Sequence, residues 1–236
     1  MKETITIDIE GITPEQAYNL AVCVKASGKR QIKVLNKLRK IVIAEPRFAY
    51  CFARDIDRKG RDDTRLACLT STQYMWKYTS EIDKKPIDII RDFFLYLDIE
   101  KHEVTNKDKG WYIYTYAKDI DKEPRDDTRN AVLSSARYSY EYAKDVDKGP
   151  RDDTRLGACQ APREAFQYAK LIDEALHPET LAAASEHADY FNNYINHFKY
   201  VKEQKEREEA KKKLEEKTVT KTVKSAYTPQ KEYTIA

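Results

Sequence analysis

Apolar residues recur at helical spacing through most of the chain. In Tyr138–Arg155, YSYEYAKDVDKGPRDDTR, the residues Tyr138, Tyr142 and Val146 fall at i, i+4 and i+8, with Ser139 and Ala143 beside them. Glu141, Lys144 and Asp145 fall opposite. This is the wheel of an amphipathic helix with one apolar arc. The same phrase stands at Tyr112–Arg129 and Phe48–Arg65: an aromatic, small-residue helix, an Asp, a Pro or Gly, then R-D-D-T-R. A weaker copy begins at Tyr74, 26 residues after Phe48, and a degenerate one at Glu164. Tyr74 and Tyr112 lie 38 apart, one unit plus a 12-residue insertion near 97–108. Self-similarity at a period of about 20–50 residues marks stacked units. The pattern predicts an all-α, solenoid-like array of about five 26-residue two-helix repeats over residues 46–186. First helices are expected near Pro46–Asp57, Gln73–Asp83, Trp111–Asp121, Arg137–Asp147 and Pro162–Asp173.

Reading across the copies gives columns. Phe52, Tyr78, Tyr116, Tyr142 and Tyr168 form one, and Tyr50, Trp76, Tyr114, Tyr140 and Phe166 another. Stacked units turn each column into a ladder of rings, which is first of all core. The second column lies at the edge of the apolar arc and is the candidate binding stripe. Ala53, Thr79, Ala117, Ala143 and Ala169 are small enough for the next helix to approach closely. Asp57, Asp83, Asp121, Asp147 and Asp173 sit at the unfavourable C-terminal end of the first helix. Either the following turn or an arginine (Arg65, Arg91, Arg129, Arg155) must offset their charge. R-D-D-T-R itself reads as a helix start, with Asp in the first turn. A catalytic carboxylate pair would not be copied along a chain, whereas a structural device would be.

The phrases YAKDIDKEP and YEYAKDVDKGP resemble short helical repeats of some phage and bacterial proteins, which read Tyr-Ala-x-Tyr-Ala-basic-Asp-Val-Ile-basic-Gly before an acidic helix start. The matching residues are Tyr114, Tyr116 to Ile120, Tyr140, Tyr142 to Val146, Gly149 and Pro150. Asp121 and Asp147 replace the usual aliphatic residue, and R-D-D-T-R replaces the Glu-rich start. The resemblance covers about residues 46–186 and implies a helical array of phage origin, with no active-site residues.

Residues 1–45 form an N-terminal segment. Thr4–Ile9 alternate as T-I-T-I-D-I, which predicts a strand. Thr13-Pro14-Glu15-Gln16 is a capping box that opens a helix to about Ala26. A second helix is expected over Lys29–Ala44, with Val34, Leu35, Leu38, Ile41 and Val42 inward and Lys29, Lys33, Lys37 and Lys40 outward. From Lys25 to Lys40, seven basic residues stand without an acid. Beyond the repeats, Pro178–His187 reads as a helix and Ala188–Lys217 as a long one that caps the array. Thr218–Ala236 reads as a disordered tail.

The net charge of +3 excludes a polycation, and only 6 glycines suit helices better than a loop-rich enzyme. Cys23, Cys51, Cys68 and Cys159 show no metal or redox spacing. Nucleotide-binding, nucleophile-elbow and zinc motifs are absent from the sequence. No metal, no cofactor and no catalytic residue is expected, and the setting reads as cytoplasmic without a membrane span. The expected function is a non-enzymatic protein-binding module, a phage-encoded modulator of a host protein. Its contacts would be Lys29, Lys33, Lys37 and Lys40, or the Tyr50–Trp76–Tyr114–Tyr140–Phe166 stripe. The alternative is nucleic-acid binding through the basic helix 25–40, because a face of one sign attracts phosphates as readily as carboxylates.

Overall fold

The computed structural model describes residues 9–28 and 31–226. The described residues are helical and contain no strand. The strand expected at Thr4–Ile9 lies outside them except for Ile9, which is irregular.

The capping box forms as the sequence predicts. Thr13 accepts from Gln16 N–H while the Gln16 side chain accepts from Thr13 N–H, which starts α1 (Pro14–Ala26). Helix α2 (Ile32–Val42) packs on it and buries Leu38 and Val42. The repeats follow. Their first helices are α3 (Pro46–Phe52), α5 (Thr72–Tyr78), α7 (Asn106–Thr115), α9 (Ala136–Tyr142) and α11 (Pro162–Tyr168). Each runs on into a π-helical turn: Ala53–Asp57, Thr79–Asp83, Tyr116–Asp121, Ala143–Asp147 and Ala169–Asp173. The combined helices end at the repeated aspartate, as expected. The residue after each turn is left-handed: Arg58, Lys84, Lys122, Lys148 and Glu174 have φ between 50° and 60°. The second helices are α4 (Asp62–Cys68), α6 (Asp88–Leu95), α8 (Asp126–Val132), α10 (Asp152–Ala158) and α12 (Pro178–Ser185). Helix α13 (Ala188–Ala226) then runs to the end of the described residues. Residues 218–226, expected as tail, are therefore helical; 227–236 lie outside the described residues.

Successive units pack on one another. Helix α3 touches α5, α7 touches α9, α9 touches α11 and α11 touches α13, and each π turn touches the next. The small column explains the close approach, since Ala53, Thr79, Ala117, Ala143 and Ala169 are all fully buried. One core cluster threads several units, from Ala49 and Tyr78 to Tyr116, Tyr142 and Val146.

A polar joint recurs between units. The repeated aspartate accepts two N–H bonds from the arginine of the preceding unit. Arg65 holds Asp83 at 2.8 and 2.9 Å, Arg91 holds Asp121 at 2.7 and 3.1 Å, and Arg155 holds Asp173 at 2.7 and 2.9 Å. Arg129 holds Asp147 in the same way, with its nearest bond at 2.7 Å. Beside each pair a tyrosine hydroxyl of the later unit accepts from the backbone N–H that opens the earlier second helix. These bonds are Arg61 N–H to Tyr78, Ile87 to Tyr116, Arg125 to Tyr142 and Arg151 to Tyr168, at 2.8–3.1 Å. Thr64, Thr128 and Thr154 meet the same hydroxyls at 2.7–2.8 Å. The cap that R-D-D-T-R needs is thus supplied by the following unit, which satisfies an otherwise orphaned backbone donor.

Candidate functional site

The basic run splits into two populations. Lys25 turns inward and donates to the carbonyls of Asp55 and, at 2.9 Å, Ile56. Arg39 is buried and grips Asp57 at 2.7 and 2.9 Å, the same joint found further along. Lys33, Lys37 and Lys40 are exposed, and no ion pair engages them among the described residues. Lys29 lies outside the described residues. Val34, Leu35 and Ile41 are half-buried and Leu38 and Val42 buried, so α2 divides as its wheel predicts, apart from Arg39.

The aromatic stripe is not an open surface, which corrects that expectation. Tyr50, Tyr114, Tyr140 and Phe166 are buried, and only Trp76 is half-buried. The next unit covers them. The Tyr50 hydroxyl donates to Glu81, and the Tyr114 hydroxyl donates to Asp145, which Lys118 also holds at 2.7 Å. Burial opposes ionisation of Asp145, but Lys118 and Tyr114 outweigh it and hold the carboxyl below its usual range. Burial, then the bond to Asp145, pushes the Tyr114 hydroxyl up to about 12. Sequence reading missed the first rung of this ladder: Tyr18 on α1 donates to Asp55 at 2.7 Å.

The insertion makes the repeats irregular at one surface, where aromatic rings gather. Trp76 meets Trp111 edge-on at 5.3 Å, and His102 meets Phe93 edge-on at 5.3 Å. The turn Thr70–Gln73, the insertion residues Lys101–Val104 and Tyr112 line a cleft of about 320 Å³. The helix expected from Trp111 instead starts at Asn106, inside the insertion, because a capping box between Thr105 and Asp108 opens it there.

Among the described residues no His, Cys, Asp and Glu cluster is arranged to hold a metal ion, and no helix is long and apolar enough to cross a membrane. The comparisons with known proteins return nothing: no family model, no curated protein and no solved structure matches this chain.

Proposed function

We propose that the chain is a non-enzymatic, solenoid-like helical-repeat module that binds an acidic protein surface through α2. One observation carries this reading. Of the cations in the basic run, the fold uses Lys25 and Arg39 internally and leaves Lys33, Lys37 and Lys40 exposed and unpaired among the described residues. Like charges at i and i+4 on a helix repel by a few tenths of a kcal/mol per pair, so the fold does not gain from them. A carboxylate-bearing partner supplies the missing counter-charge. The repeated aspartates support a non-catalytic reading, because each already accepts two arginine N–H bonds. The resemblance to phage repeat proteins makes a host protein the expected class of partner.

The test compares the wild-type chain with the double variant Lys33→Glu/Lys37→Glu in capture from nuclease-treated host lysate. Capture that survives nuclease and is lost in the folded double variant is the expected result. Capture abolished by nuclease, with a log–log salt slope near the ~0.9 per neutralised phosphate of duplex binding, would overturn it in favour of nucleic acid.

A further inference from the structure

One repeat carries the insertion, and insertion residues Lys101–Val104 share a cleft of about 320 Å³ with the turn between α4 and α5. Insertions in repeat arrays map to loops that are often on the binding face. This loop is built rather than slack. The Asp98 carboxylate accepts from the N–H groups of Glu100 and Lys101, both at 3.1 Å, and Lys109 donates to the Leu97 carbonyl at 3.2 Å. Phe93 meets the His102 ring edge-on. Glu103 is left-handed, with φ 52°; every other described non-glycine residue with positive φ follows a π turn. Backbone held in that region costs energy and clusters at functional sites.

Thr72 supplies the observation that points to a ligand. It lines the cleft, it is 5% exposed, and its Oγ1 has no hydrogen-bond partner among the described residues. The other such buried atom, Arg61 Nε, lies 3.1 Å from the Asp57 carboxylate. The fold does not require the Thr72 hydroxyl, because the first residues of α3, α9 and α11 are Pro46, Ala136 and Pro162. A buried hydroxyl without a partner destabilises a protein. One χ1 step exchanges a threonine's hydroxyl with its methyl, so the oxygen can turn to meet a molecule in the cleft. Ser71, Gln73, His102 and Tyr112 also make no side-chain hydrogen bond among the described residues. Ser135, which stands where Ser71 stands, instead caps its own helix at Tyr138 N–H.

We infer that the cleft binds a neutral, polyhydroxylated ring, the chemistry of a monosaccharide unit. Charge is the first argument: Lys101 and Glu103 offset one another among the lining residues, which favours neither an anion nor a cation. Hydrogen bonding is the second. The hydroxyls of Ser71, Thr72 and Tyr112 and the Gln73 amide each donate and accept, and neighbouring hydroxyls on a sugar answer in both senses. The Tyr112 ring and Val104 add apolar surface for the C–H face of such a ring. Size is the third, since about 320 Å³ is at the small end of ligand sites and suits a single ring. None of these residues is on α2, so the inference stands apart from the acidic-partner reading.

NMR chemical-shift mapping of the full chain with glucose, galactose, mannose and N-acetylglucosamine tests this. At least one sugar is expected to shift the amide signals of residues 71–73 and 101–104, with a dissociation constant on the order of millimolar. Thr72→Ala gives α5 the first residue that α9 already has, so it is expected to fold and to weaken binding by about tenfold. Gln73→Ala, at an exposed site, is expected to weaken binding about threefold and carries the test if Thr72→Ala does not fold. The methyl glycoside of the bound sugar separates two sources of the same chemistry: retained affinity points to a sugar carried on a glycan, lost affinity to a free one. Three results would overturn the inference: no shift at these residues with any of the four sugars, shifts indifferent to both substitutions, or shifts produced by inorganic phosphate and by none of the sugars.

Discussion

The two ends of the molecule keep opposite halves of the same joint. At the N-terminal end Arg39 holds Asp57, 18 residues on, but the hydroxyl pair is gone: Leu38 and Phe52 stand where Thr64 and Tyr78 stand one unit later. Both are fully buried, so an apolar contact fills the space of a hydrogen bond. At the C-terminal end Thr180 still meets Tyr194, but the ion pair is gone, and Leu181 and Lys199 replace its arginine and aspartate. The joint therefore has two separable parts. The hydroxyl part satisfies a backbone donor at the start of a second helix. The ionic part joins a buried carboxylate at a helix C-terminus to a charge in the unit before it. Burying such a pair costs desolvation, so its net contribution is modest, but losing one partner strands a charge.

The largest expected effect comes from breaking the ionic part in the interior. The Asp147 side chain is 4% exposed, and among the described residues Arg129 is its only cation within ion-pair distance. Arg129→Ala leaves that carboxylate buried and alone, and urea unfolding should show a loss of about 3–5 kcal/mol. Arg39→Ala at the N-terminal end should cost visibly less, because Arg61 also reaches Asp57, at 3.1 Å. Equal losses at the two sites would mean that the joint is worth the same with or without a second cation.

A steric break comes next. A Cβ on Gly157 would lie 2.2 Å from the Ser139 hydroxyl and 3.2 Å from the Leu133 carbonyl, because α10 lies that close to α9. Gly157→Ala should destabilise by about 1–3 kcal/mol, the usual effect of overpacking, although alanine is the better helix former. A neutral result would show that this contact yields freely.

The hydroxyl part is smaller still. Tyr142→Phe leaves Arg125 N–H without its 3.1 Å partner and should cost about 1–2 kcal/mol. Tyr194→Phe removes a comparable bond at an end that has no ion pair. Hydrogen exchange should then show α12 and the start of α13 opening locally, rather than the whole chain losing stability. Global destabilisation by Tyr194→Phe would erase the difference between interior and end.

Much of this was legible in the chain. The repeated phrase located the first helices, the small column and the arginine–aspartate chemistry, because side chains at a fixed period must meet at a fixed geometry. Less legible was which unit's arginine meets which aspartate, since 18 residues separate Arg129 from Asp147 and neither helix wheel records packing. Arg39 was hidden inside a basic run, where the sequence assigned it no partner. The N-terminal unit was hidden because Tyr18 precedes Tyr50 by 32 residues instead of 26, and because Leu38 and Phe52 carry no hydroxyl. The π turns have no glycine or proline to betray them. The helix also persists past Lys217 through TVTKTVKSA, a poor helix former by composition, because extending an existing helix avoids the cost of nucleation.

The smallest expected effect separates rungs of the tyrosine ladder. Tyr114 has a carboxylate opposite it, whereas for Tyr140 the position equivalent to Asp145 one unit on is Leu171, which carries no charge. Asp145 has its folded pKa below the ordinary carboxylate value of about 3.9. Its contribution to stability is thus complete above that value and is lost as pH falls through the lower folded value. The Tyr114 hydroxyl, pushed up to about 12, behaves in the opposite sense: its contribution holds below the ordinary tyrosine value of about 10 and fades as pH rises from there. Lys118 is 43% exposed, so water screens the joint and the acid-side loss should stay below about 1 kcal/mol. Asp145→Asn should flatten the acid limb of the stability profile by that amount, and Tyr140→Phe should leave the limb unchanged. An acid limb that responds equally to both substitutions would mean that the carboxylate opposite Tyr114 gives its rung no special role.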